Sequence, residues 1–188
     1  MRLRFIPTLA CALVLASIFA QAADDKPGVV SFVKVVSDKV EDVSSLEAWK
    51  KSFIKDDMTD EQKALKVWET VVKFRHQESP PKEFIQNETH PHDPIRTFNV
   101  YGYGQCCCAS SNIESLARYI GLQARGWAVT SHSVPEVNFN NSWHMLDASL
   151  VTYYLNDNKT IAGIDDLSAN PEGLVNSEHC QFADAKGW

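Results

Sequence analysis

The order of signals along the chain predicts an α+β domain, with helices first and a run of strands after them. Three observations carry the prediction. A capped amphipathic pattern begins at Thr59. A second helical pattern begins at Cys106, directly after the glycine turn of YGYGQCCCAS, and four short segments rich in Val, Trp, Tyr and Phe follow between residues 125 and 155. The Cys106 helix is expected to pack one face on an antiparallel sheet made by those segments.

Residues 29–36, VVSFVKVV, are β-branched and short, which fits an edge strand or a packed N-terminal arm. In SSLEAWKKSFI, Ser45 stands as an N-cap, and Leu46, Trp49 and Phe53 share one side of a helix. Thr59 and Gln62 form a capping box, each side chain satisfying a free backbone N–H at a helix start. Leu65, Trp68, Val71 and Val72 then recur at helical spacing up to about Arg75. From Gln77 to Pro94 lie four of the chain's eight prolines and no usable period, so this stretch reads as an irregular surface connection. The helix from Cys106 to Ile120 carries Ala109, Ile113, Leu116, Ala117 and Ile120 on one stripe and ends at Gly121, whose lack of a Cβ suits a helix terminus. Arg125 to Ser131, Pro135 to Phe139, Trp143 to Ser149 and Val151 to Leu155 read as antiparallel strands, with a hairpin turn at Asn140 to Ser142.

The N-terminus has Arg2 and Arg4 ahead of an apolar run from Leu9 to Phe19, then Ala20-Gln21-Ala22, the small-x-small pattern of a signal-peptidase site. It reads as a secretory signal cleaved after Ala22, giving a secreted or periplasmic protein. The apolar run falls short of the roughly 20 residues that a membrane span needs. Cys11 lies inside the run and is removed with it. Losing Arg2 and Arg4 takes the basic count from 18 to 16 against 24 acidic residues, which leaves a mature net charge of −8. An acidic chain with no basic run is a poor partner for nucleic acid or anionic lipid. The length that remains, from Ala23 to Trp188, suits one domain with one core.

A thiol becomes a nucleophile when its pKa is lowered, and the first turn of a helix does this because its free N–H groups and dipole stabilise the thiolate. The glycine turn places Cys106 at such a point. A histidine beside it can hold the thiolate and protonate a leaving group, provided that a carboxylate or amide orients the ring. His132 and Asp147 lie on either side of the expected hairpin and can face each other on neighbouring strands. His144 lies three positions before Asp147, so the two-residue strand period turns it to the opposite face, which favours His132.

The stretch Tyr103-Gly104-Gln105-Cys106-Cys107-Cys108-Ala109 resembles the G-x-C-x-x-A nucleophile motif of the transglutaminase-like superfamily. More of the pattern follows in order. Gly121-Leu122-Gln123-Ala124-Arg125 resembles the family's helix exit, His132 with Glu136-Val137 its H-x-W-x-E-V strand, and Trp143-His144-Met145-Leu146-Asp147 its W-x-x-x-D strand. The resemblance covers roughly residues 65–150 and implies a secreted, bacterial-type member with a papain-like α+β core. It assigns Cys106 as nucleophile, His132 as general base and acid, and Asp147 as orienting group. Val134 stands where the family usually has Trp, and Cys107 and Cys108 replace an aromatic or acidic pair. No acidic cluster resembles the calcium sites of animal transglutaminases. The implied organisation is a signal peptide over 1–22, an arm and helix over 23–58, a transglutaminase-like core over 59–155 and a tail over 156–188. With only this tail after the core, a substrate-binding part is expected to be missing or supplied by a partner.

The expected function is a cysteine-nucleophile enzyme acting on peptide or glutamine-type carboxamide bonds of a protein or peptide, by hydrolysis or by transfer to an amine. The alternative is a non-catalytic binding or scaffold domain on the same fold with its cysteines in disulfides. Cys107 and Cys108 are expected to pack, or one of them to pair with Cys180 in an oxidising compartment. A bond between adjacent cysteines would be strained. His90, His92 and Asp93 offer metal ligands toward Cys106 or Cys108, but they lack the tight paired spacing of zinc sites, so neither metal nor cofactor is expected. Trp49, Trp68 and Trp127 read as core, and Trp143 as core or as a neighbour of the His–Asp pair.

Overall fold

The computed structural model describes residues 37–79, 92–156 and 159–170, together with the backbone at 180–181. The signal peptide, the VVSFVKVV segment and most of the proline-rich connection lie outside the described residues.

Two capped helices open the described chain. Helix α1, Leu46–Phe53, starts where Ser45 Oγ accepts the Ala48 N–H at 3.1 Å, and α2 is Asp60–Phe74. The capping box forms as the sequence indicates: Thr59 N–H donates to Gln62 Oε1 at 2.9 Å and Gln62 N–H to Thr59 Oγ1 at 3.2 Å. Thr59→Ala orphans one donor, so it should cost about 1 kcal/mol, measured as a lower urea midpoint at unchanged slope. The two helices are joined through Trp49, which is fully buried and donates its indole N–H to Thr70 Oγ1 at 3.0 Å. Trp49 and Phe53 share one core with Val67, Trp68 and Val71 of α2.

A short strand β1, His76–Gln77, follows α2 and pairs in parallel with β2, Tyr103–Gly104. Between them the turn α3, Pro94–Arg96, is capped by Asp93 and runs into a single π-helical turn over Thr97–Tyr101. That turn ends at Gly102, whose φ of 68° lies in the left-handed region that favours glycine. The sequence periodicity signals none of these four short elements.

Helix α4, Cys106–Tyr119, begins just after β2 and packs on α2 and on a three-stranded sheet. Its Ile113, Leu116 and Ala117 are fully buried, as the apolar stripe predicts. The sheet runs β3 Gln123–Val129, β4 His132–Phe139 and β5 Ser142–Met145 in that order, all antiparallel, with Arg125 opposite Glu136 and Glu136 opposite Met145. The β4–β5 turn lies where the sequence places it, with Asn140 and Asn141 both left-handed at φ of 52° and 61°, the geometry of a tight two-residue hairpin.

Two strand expectations change. The segment Trp143 to Ser149 is strand only as far as Met145, because Asp147 then bridges Thr152 alone and residues 148–151 turn between them. The segment Val151 to Leu155 shrinks to β6, Thr152–Tyr153, paired with β7, Cys180–Gln181. Val151 has φ of 53°, unusual for a β-branched residue, because it closes this turn. A last helix, α5 Ile164–Ala169, docks at the end of β5. The described chain is thus a mixed helix-and-sheet fold of α+β type. No helix among the described residues is long and apolar enough to cross a membrane.

Candidate active site

The three residues singled out by sequence meet in space. Cys106 is the first residue of α4, and Gln105 before it is extended with no side-chain cap, which leaves the first-turn N–H groups free to act on the sulfur. His132 opens β4. Asp147 sits in the turn after β5, 2% exposed, with its Oδ2 at 2.7 Å from His132 Nε2. Its other oxygen, Oδ1, accepts the N–H groups of Ser149 at 2.7 Å and Leu150 at 3.1 Å. One carboxylate therefore shapes the turn with one oxygen and fixes the imidazole with the other.

The second ring nitrogen of His132 is left for Cys106, and the imidazole lies near enough to lower the thiol's pKa while the thiol helps to raise its own. Burial pushes the Cys106 thiol up, but the Ser133 N–H, the His132 ring and the Cys107 N–H pull it down further, to a net value below that of an ordinary cysteine. Burial likewise pulls His132 down, yet its bonds to Asp147 and Cys106 leave it above an ordinary histidine. Opposite shifts in contacting groups favour a thiolate–imidazolium pair.

The neighbouring cysteines differ. Cys108 is buried, and burial together with the adjacent Cys107 pushes its thiol up to about 12. Its Cβ lies so close to β2 that a Cβ on Gly104 would sit 2.7 Å from it, so only glycine lets the strand approach the helix there. Cys106, Cys107 and Cys108 are all free thiols among the described residues, and the Cys180 side chain lies outside them. His144 is withdrawn from the site as expected, although Asp147 lies beyond β5 and not on the same strand. It is buried, stacked on Phe139 at 3.7 Å between ring centroids, with its nitrogens against the carbonyls of Ile161 and Phe139.

Two supporting residues escape assignment in the sequence. Arg75, 3% exposed, donates to Gly104 O at 2.5 Å and Ala148 O at 2.9 Å, and also to Gln77 Oε1 and His76 O. It ties the turn before Cys106 to the turn after Asp147. Its signal is positional: it falls four residues after Val71, just past the end of α2, where the apolar stripe leads into the core and a cation is out of place. Glu136, fully buried, accepts from Arg125 Nε at 2.7 Å, Trp127 Nε1 at 2.6 Å and Ile164 N at 2.7 Å. The Arg125 guanidinium lies 4.1 Å from the centre of the Trp143 ring and 5.0 Å from that of Trp127. Trp143 thus belongs to a stack built on Glu136, and Trp127, expected in the core, is exposed. Trp127 stays at the surface because β3 is an edge strand and its indole N–H reaches inward to Glu136.

A separate surface depression, lined by Lys55, Met58, Leu65 and Lys66 among others, includes none of Cys106, His132 or Asp147. Compared with known proteins, the chain matches no family model and no curated protein.

Proposed function

We propose that the chain is an exported cysteine enzyme of transglutaminase-like kind, with a papain-like arrangement of helix and sheet, acting on peptide or glutamine-type carboxamide bonds. The observation that carries this reading is His132 held at 2.7 Å by a buried Asp147, with its ring acting on a thiol at a helix N-terminus whose pKa it lowers. Cys106, Cys107 and Cys108, free thiols among the described residues, also favour a reactive thiol over a disulfide-bound scaffold.

The Cys106 thiolate attacks the carbonyl carbon, forming a C–S bond and moving charge onto the carbonyl oxygen. The Cys106 backbone N–H is one donor to that oxyanion. Of the side chains nearby, Tyr101 is buried, while Gln105 and Tyr103 reach solvent and are the candidates for a second donor. As the C–N bond breaks, the imidazolium of His132 gives its proton to the departing amine or ammonia and the thioester remains. His132, now neutral, takes a proton from water or from an incoming amine. That nucleophile attacks the thioester, and the C–S bond breaks to release the Cys106 thiolate beside the His132 imidazolium, which restores the pair. Water gives hydrolysis and an amine gives a new amide.

Alkylation tests the reading without knowledge of the substrate. Iodoacetamide at about pH 6, where a thiol of ordinary pKa near 8.5 is almost wholly protonated, should modify Cys106 well ahead of Cys107 and Cys108. Because the Cys106 pKa is lowered, the acid limb of its rate profile should fall below that of free cysteine. Peptide mapping that finds all three labelled alike, or Cys106 spared, would sink the proposal.

A further inference from the structure

Cys106 turns toward His132 and the Ser133 N–H, which leaves the next two thiols of the same helix turn without a part in that chemistry. Successive residues of an α-helix are about 100° apart around the axis, so Cys107 and Cys108 project elsewhere. Their Sγ atoms are 4.0 Å apart. His92, just before α3, comes from a different part of the chain to the same place. One of its ring nitrogens and the two sulfurs all lie within 4.8 Å of one another.

From these three side chains we propose that His92, Cys107 and Cys108 form a binding site for one thiophilic cation, with zinc as its representative. Tetrahedral zinc with bonds of about 2.3 Å to sulfur and about 2.0 Å to nitrogen sets sulfur–sulfur separations near ~3.8 Å and nitrogen–sulfur separations near ~3.6 Å. The two sulfurs already stand close to that spacing, and the imidazole needs an approach of about 1 Å or less, within the reach of an exposed side chain.

The donor set selects the ion. Two thiolates and an imidazole suit zinc or cuprous copper, whereas magnesium and calcium require oxygen ligands. Adjacent cysteines bridge each other only with strain, but both can bind one metal, each thiol releasing its proton as the ion enters. Burial grades from Cys108, buried, through Cys107 to the exposed His92, so the fourth coordination position faces solvent and is open to water. Sequence spacing argues against a metal here because His92 stands far ahead of Cys107 in the chain, and only the π-helical turn and β2 bring them together.

The site does not use Cys106, and that decides the test. The full chain, reduced with a phosphine that does not bind metal, is titrated with cobalt(II) and then with zinc against a chromophoric chelator. Wild type and Cys106→Ala should each take one equivalent, show a thiolate-to-cobalt charge-transfer band with the visible bands of a tetrahedral centre, and melt at higher temperature with zinc. His92→Ala, at an exposed position, and Cys107→Ser should lose more affinity than the roughly 10- to 100-fold that removal of an outer-sphere partner costs. Circular dichroism melting of the metal-free variants establishes that they fold. Three results overturn the proposal: no cobalt–thiolate band, binding retained in His92→Ala, or binding lost in Cys106→Ala, which would put the ion on the Cys106–His132 pair.

Discussion

Cys106→Ala is expected to abolish ammonia release from glutamine-containing peptides, and Asp147→Asn to lower it by up to about 10⁴-fold, the loss that this change causes in a serine triad. The two variants fail for different reasons. Alanine removes the atom that forms the bond. Asparagine keeps an oxygen able to accept the Ser149 and Leu150 N–H groups, so the turn survives, but it offers His132 Nε2 a neutral amide in place of a carboxylate. An imidazolium is then no longer stabilised, and the ring can settle in the wrong tautomer.

The sign of the pH effect follows from the shifts. Asp147 helps to raise the His132 pKa, so its loss brings the alkaline limb of the activity profile to lower pH. A raised histidine pKa also contributes stability that is complete below the unfolded value of about 6.5 and is lost as pH rises through the folded value. Asp147→Asn should therefore show a smaller stability difference between the acid and alkaline sides of that window. Cys106 alkylation gives a readout free of substrate: an opposite charge nearby moves a pKa by about 1 to 3 units, so the rate at acid pH should drop about tenfold or more. Unchanged alkylation and turnover in Asp147→Asn would remove Asp147 from the mechanism.

Arg75→Met should be the most destabilising single change near the site, by about 3 to 5 kcal/mol, because it strips a buried cation from several acceptors at once. The carbonyls of Gly104 and Ala148 lose a charged donor in the interior, where water replaces it poorly. At about 2 to 4 °C per kcal/mol for a chain of this size, the melting temperature should fall by roughly 6 to 20 °C. Arg75→Lys should recover little, since one ammonium cannot span the positions that the planar guanidinium reaches. Burial pulls the Arg75 pKa down while Cys108, Asp147 and Cys106 hold it up, so the cation and the carboxylate of Asp147 support each other. Differential scanning calorimetry of both variants measures the effect. A shift below about 3 °C, half the smallest fall expected from that scaling, would mean that the two turns hold without it.

Long helices and the site residues are legible because their signals are local or strictly ordered. The Thr59 capping box and the apolar stripes of α2 and α4 repeat at a period that only a helix satisfies. Cys106, His132 and Asp147 stand out through ordered motifs. What escapes depends on contacts distant in sequence. β1 and β2 have two residues each and exist because they pair across the whole proline-rich connection. Asp147 looks like a strand residue because Trp143 to Ser149 alternates well, but its own carboxylate bends the chain by accepting two N–H groups. Arg75 bonds Ala148 from 73 residues away, which no window along the chain can register.

The thiol of Cys106 owes most of its activation to groups outside its own helix. The Ser133 N–H and the His132 ring belong to β4, and the ring is held by a turn beyond β5. Until the sheet has closed in register, the chain holds a cysteine of ordinary reactivity, little different from the two beside it. On the proposed function, activation therefore depends on contacts distant in sequence. The rate at which Cys106 gains reactivity toward a thiol reagent at acid pH during refolding should therefore report on sheet closure.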